Sequence, residues 1–170
     1  MTLDILICSL NKGIVRCQDV LLPPQGGVHY IVSYQYTDER YLELIPTQLT
    51  ERADVSIYKY KGHGLSANRN LALEKATAEI VMFADDDARL TPETPSIVTR
   101  HFQDDSSLDV AFFMASTYTG KALKNYPEES FRILAMPDSY TISALEMAMR
   151  RTKVQGRLRF DERFGLGTKF

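Results

Sequence analysis

The stretch IVMFADDDARLTPE, residues 80–93, runs five apolar residues into three adjacent carboxylates, Asp85, Asp86 and Asp87. In extended chain, alternate side chains point the same way. Asp85 and Asp87 can therefore converge, while Asp86 faces elsewhere. Two convergent carboxylates suit a hard divalent cation such as Mg²⁺ or Mn²⁺, with diphosphate oxygens filling the remaining positions. Like charges this close repel, so a cation or hydrogen-bond donors must compensate them. The alternative is a solvated acidic turn ahead of a helix, with an aspartate favouring the positive helix end. Placement at the end of an apolar run brings the two readings level, because open α/β sheets bind ligands at the carboxyl ends of their strands.

Other reactive side chains give weaker signals. His63 stands between Gly62 and Gly64, where it can meet phosphate or simply be exposed. GHG before a helix lacks the third glycine and the spacing of a dinucleotide fingerprint. Cys8 and Cys17 have no metal-ligand spacing, and Cys8 lies in an apolar run as a small core residue. Arg150, Arg151 and Lys153 read as a charged strand end, with an anionic contact as the alternative.

These side chains need elements to position them. LDILICSL (residues 3–10) is a strand buried on both faces, as parallel sheets require. IVRCQDVLL (14–22) has helical spacing and ends at Pro23-Pro24. VHYIVSY (28–34) and DVSIYKY (54–60) are strands. GHGLSANRNLALEKATAE places a helix on Leu71, Ala72 and Ala76, with Ser66 as its cap. IVMFA is the fourth strand. TPETPSIVTRHF (91–102) opens a helix with a capping threonine and a proline. LDVAFFMAS (108–116) is a strand and TGKALKNYPEES (119–130) a polar loop. YTISALEMAMRR (140–151) fits strand or helix, and FDERFGLGTKF (160–170) is a glycine-containing loop. Alternating strands and helices over the first hundred residues predict βαβ units and a mostly parallel sheet.

The order of motifs then matters. GLSANRNLALEKATAEIVMFADDDARLTPE (64–93) resembles the central signature of family 2 glycosyltransferases of the GT-A fold. In that family a G-x-S-x-x-R-N stretch opens a helix, and a short strand and a D-x-D motif follow. Ser66, Arg69 and Asn70 match the first part, and Asp85 with Asp87 match the second. LDILICSLNKG is similar to the family's first strand, and RFDERFGLGTKF resembles its late FDE-FGLG segment. The resemblance implies sugar transfer from a nucleotide diphosphate, UDP by preference, to a glycan or lipid-linked acceptor, as in surface-polysaccharide assembly. It implies that Asp85 lies nearer the nucleotide, that Asp87 is the ligand of a divalent Mn or Mg ion, and that Asp86 belongs to the donor site. Arg69 would turn its fork toward nucleotide or phosphate; pairing with Glu74 is the alternative. Residues 1–103 would form the nucleotide-sugar-binding half and 104–170 a partial acceptor half of one domain.

Two departures qualify this. The family's acidic pair after the second strand is replaced by Ser33, Tyr34 and Gln35 in IVSYQYTDE. Gln35 can still hydrogen-bond a base edge, Tyr34 or Tyr36 can stack on it, and Asn11 can touch the base from the first strand end. Inverting members carry a catalytic carboxylate shortly after FGLG, which is expected beyond Phe170. Asp161 and Glu162 match residues upstream of it, either shaping the acceptor side or, for Asp161, acting as a structural residue or a loop cap. A nucleotide-sugar-binding module without turnover is therefore the second reading.

The bulk properties agree with one soluble domain. The chain has 170 residues, 44% of them apolar, and a net charge of −2, which gives no reason to expect nucleic acid. The N-terminus MTLDILICSLNKG lacks a basic leader, and no apolar run approaches the ~18 residues of a bilayer span. The expected location is cytoplasmic, with peripheral membrane association compatible.

Overall fold

The computed structural model describes residues 1–133 and 142–168. The first two positions of the ambiguous 140–151 segment and the last two of the glycine loop lie outside them. Six strands form one sheet in the order β3-β2-β1-β4-β6-β5. They are β1 (Leu3–Leu10), β2 (Val28–Tyr36), β3 (Val55–Lys61), β4 (Ile80–Asp85), β5 (Val110–Phe112) and β6 (Met147–Arg150). The first four are parallel, and β6 runs antiparallel between β4 and β5.

β1 is central, pairing Leu3–Leu10 with β2 and Leu3–Cys8 with β4. Its strand period of two splits the core. Leu3, Ile5 and Ile7 face a layer with Ile14, Cys17, Leu49, Val98 and Phe102. Leu6 and Cys8 face the opposite layer, with Ala72, Leu73, Ala76, Val81 and Phe83. The first layer holds the 3₁₀ helix Asn11–Asp19, α1 (Thr47–Thr50) and α3 (Thr94–Asp104); the second holds α2 (Leu65–Lys75). Cys8 is a core residue, as expected, and burial pushes its thiol up to about 12.

Four expectations change. The segment expected as a helix over 14–22 is instead the tighter 3₁₀ helix. Ile14 and Cys17, three apart, are its buried pair, and Val15 faces out, as a three-residue turn requires. The helix expected from Thr91 begins at Thr94, with Pro95 rather than Pro92 in its first turn. A turn precedes it, closed by the Thr94 amide on the Thr91 carbonyl at 3.0 Å. The strand expected over 108–116 joins the sheet at Val110–Phe112, and Ser116 makes an isolated bridge to Ala122. The ambiguous segment resolves into a 3₁₀ turn (Ala144–Glu146), β6 and α4 (Arg151–Val154).

Arg150 and Arg151 are structural. Arg150 donates to the carbonyls of Phe102, Leu108 and Asp105, tying α3 to β6. Arg151 donates to the Ala78 carbonyl at 2.6 Å and to Gln155 at 2.7 Å. Among the described residues, no helix is long and apolar enough to cross a membrane.

Candidate functional site

The chain adds β2 and β3 on one side of β1, then returns to place β4 on the other. Such a reversal leaves a crevice outside the strands' carboxyl ends. Asp85 closes β4 there, in register with Cys8 of β1.

The three aspartates differ in what holds them. Asp86 is built into the fold: Ser9 Oγ donates to its Oδ2 at 2.9 Å, and Arg16 Nη2 donates to its Oδ1 at 2.5 Å. Gly13 makes room for it, since a Cβ there would lie 2.0 Å from Asp86 Oδ2. Asp85 is half-buried, and Arg69 Nη2 stands 3.7 Å from its Oδ1. Burial pushes the Asp85 carboxyl above its ordinary value; Arg69 opposes this, while Asp87 and Asp86 add to it. Arg69 is itself steadied by the Phe160 ring, 5.6 Å from its guanidinium. Glu74, its alternative partner, pairs with Lys75 instead. Asp87 is exposed. Its main-chain carbonyl accepts from the Tyr118 hydroxyl and from Arg89 Nη1. Among the described residues, no hydrogen bond or ion pair engages its carboxylate.

This arrangement fits a cation only of a particular kind. Among the described residues, no group of three or more His, Cys, Asp or Glu side chains could enclose a metal ion. A hard divalent ion that takes one or two carboxylates and keeps water or phosphate oxygens elsewhere suits the donor set.

At the ends of β1 and β2, Asn11 acts as a clamp. Its Oδ1 accepts from the Thr37 amide at 2.9 Å, and its Nδ2 donates to Thr37 Oγ1 at 3.0 Å. Its φ of 50° is a left-handed turn that asparagine tolerates. Tyr34 is buried, its hydroxyl donating to the carbonyls of Asn11 and Tyr41. Gln35, expected at a base edge, is 1% exposed. Its amide nitrogen contacts the Tyr60 hydroxyl and donates to the Gly64 carbonyl at 3.0 Å. It is thus turned into the fold, bracing the entry to α2. Ser66 does not cap α2, because Gly64 occupies that position. Its hydroxyl donates instead to the Phe164 carbonyl at 2.7 Å.

That contact belongs to a seam joining the two stretches that were separate in sequence. Asn70 donates to the Phe160 carbonyl at 3.0 Å and accepts from the Phe160 amide at 2.8 Å. The Leu65 amide donates to the Leu166 carbonyl at 3.1 Å. Gly165 has a φ of 110°, and a Cβ there would stand 3.2 Å from Ser66 Oγ. Asp161 accepts from the Arg163 amide and guanidinium, which hold its carboxyl down at about 2. It is the loop cap expected of it. The bracing roles of Asn70 and Tyr118 were not legible; for Asn70 the signal was its place in the matched stretch.

This six-stranded, mostly parallel sheet flanked by helices is a GT-A type fold. Solved structures agree. S. aureus TarS residues 1–349 superpose with a TM-score of 0.62 at 17% identity, covering 89% of this chain and 48% of that one. The same protein in complex with UDP gives 0.61 at 16% identity, with 89% and 47% covered. A Pyrobaculum calidifontis mannosyltransferase in complex with GDP-Man and Mn²⁺ gives 0.51 at 15% identity, with 66% and 35% covered. The chain thus spans about half the length of the TarS 1–349 structures it matches. Comparison with curated protein sequences found no match. The model of glycosyl transferase family 2 matches residues 38–162. The chain belongs to that family.

Proposed function

We propose that this chain is the donor-binding part of a metal-dependent, inverting glycosyltransferase that takes its sugar from a UDP-sugar. The acceptor is a glycan or lipid-linked glycan of surface-polysaccharide assembly, met on the cytoplasmic side. Residues 1–103 form the nucleotide-sugar half, and the following residues begin the acceptor side. The observation that carries the reading is the division of labour at the β4 tip. Asp86 is consumed by Ser9 and Arg16, Asp85 faces Arg69, and the exposed Asp87 carboxylate has no protein partner among the described residues.

Asp87, with Asp85, would hold the divalent ion. When bound, it neutralises negative charge building on the departing diphosphate. Arg69 presents a planar fork beside Asp85 and turns toward the nucleotide or phosphates. Asn11 and Thr37 fix the rim of the crevice, and Gln35 braces Gly64 behind it. Inversion needs a carboxylate within hydrogen-bond reach of the acceptor hydroxyl. Asp161 is held by Arg163, and Glu162 by Arg159 and Asn70. This commitment is the observation behind the second reading, donor binding without turnover.

Incubation with UDP-sugars and Mn²⁺, followed by release of UDP, separates the two. Metal-dependent release that vanishes in Asp87→Ala supports the transferase reading. Tight UDP–Mn²⁺ binding without release supports the binding module. Absence of metal-dependent nucleotide binding contradicts both.

A further inference from the structure

After β5 the chain forms a hairpin over the acidic tip. Leu123 donates its amide to the Ala115 carbonyl at 2.9 Å, Thr117 donates to Lys121 at 2.8 Å, and Gly120 turns at a φ of 82°. The hairpin is otherwise polar and exposed, yet its base is fixed by a buried carboxylate. Glu146, 2% exposed, accepts from Lys124 Nζ at 2.7 Å, from the Tyr126 hydroxyl at 2.5 Å and from the Ser143 amide at 2.7 Å. The Tyr126 oxygen in turn accepts from the Ala115 amide at 3.0 Å. Glu146 immediately precedes β6, which runs antiparallel to β4, so it lies toward the carboxyl end of β4. At the other end of the hairpin, the Tyr118 hydroxyl donates to the Asp87 carbonyl. The Arg89 guanidinium lies 5.9 Å from the Tyr118 ring centre and donates to the Ala88 carbonyl and to Asp19. A buried carboxylate is stable only when its donors are in place. Here those donors are the residues that set where the hairpin stands.

We propose that Glu146 and Tyr118 are positioning residues for the donor site. Glu146 anchors the hairpin, and Tyr118 at its tip holds the Asp87 main chain so that the carboxylate is pre-organised for a divalent cation under a nucleoside diphosphate. The proposal rests on the reading of Asp87 as a cation ligand. Partners that orient a ligand typically change metal affinity by about 10–100-fold when lost.

The test uses Tyr118→Phe and Tyr126→Phe, which keep the rings and remove the hydroxyls, with Glu146→Gln as a third variant. Two quantities are read: amide hydrogen exchange at residues 86–90 without ligand, and calorimetric UDP binding with and without Mn²⁺. The expected result for Tyr118→Phe is faster exchange at residues 86–90 and about tenfold weaker Mn²⁺-dependent UDP binding. UDP binding without metal should be unchanged, which a merely structural role would not produce. Tyr126→Phe should act in the same direction through the hairpin. Wild-type exchange in Tyr118→Phe, or equal weakening of both UDP titrations, would overturn the proposal. If the wild type shows no Mn²⁺-dependent UDP binding, the reading of Asp87 fails; docking of Tyr118 on the tip is then decided by the exchange rates alone.

Discussion

At the residue scale, three adjacent aspartates have three different environments, and substitutions should separate them. Asp86→Ala leaves the Ser9 hydroxyl and Arg16 without their acceptor. Arg16 is solvated, but leaving the part-buried Ser9 hydroxyl unpaired costs about 1–3 kcal/mol, so thermal unfolding should show a lower midpoint. Asp85 responds to pH. Burial raises its folded value above 3.8, with Arg69 opposing and Asp87 and Asp86 adding. A raised folded value means that the unfolded chain gives up this proton first. The stabilising contribution is therefore full below 3.8 and lost as pH rises through the folded value. In urea unfolding at stepped pH, the stability of Asp85→Asn relative to the wild type should therefore rise across that window. Cation affinity runs the other way, because only the deprotonated carboxylate ligates. It should fade on acidification at a higher pH than an ordinary aspartate would give.

At the element scale, the site depends on close approaches between segments distant in sequence. Gly13→Ala would drive a Cβ into Asp86 Oδ2. Overpacking of this kind costs about 1–3 kcal/mol, and the 3₁₀ helix should shift away from the β4 tip. Circular dichroism melts would register the loss, and UDP binding should weaken with it. Asn70→Ala removes both main-chain bonds to Phe160. Limited proteolysis should then cut residues 159–166 faster than in the wild type, with the first 100 residues still protected. Much of the element pattern was legible. β1, β2, β4 and α2 show as buried runs and a helical face, and these elements carry the aspartates and Arg69. The 3₁₀ helix was not legible, because spacings of three and four look alike over nine residues and the deciding contact, Gly13 against Asp86, is long-range. Two Thr-Pro pairs compete to start α3, and only packing selects the second. The expectation that Gln35 meets a base edge follows from ending the strand at Tyr34, whereas β2 runs on to Tyr36 and keeps Gln35 inside the sheet. Its burial is set by Tyr60 and Gly64, which belong to other segments.

At the scale of the whole molecule, the reversal in strand order puts the acidic tip beside β1. The seam between α2 and residues 160–166 brings the two matched stretches together. The hairpin anchored on Glu146 closes over the same tip. Family membership and the GT-A fold agree with that arrangement, and the Asp87 carboxylate is the point on which the functional reading turns. Calorimetric titration of UDP in the presence and absence of Mn²⁺, on the wild type, Asp87→Asn and Asp86→Asn, tests it most directly. The account predicts Mn²⁺-strengthened UDP binding in the wild type, loss of that strengthening in Asp87→Asn, and its retention in Asp86→Asn below its lowered melting point. Equal Mn²⁺ dependence in the wild type and Asp87→Asn would contradict it.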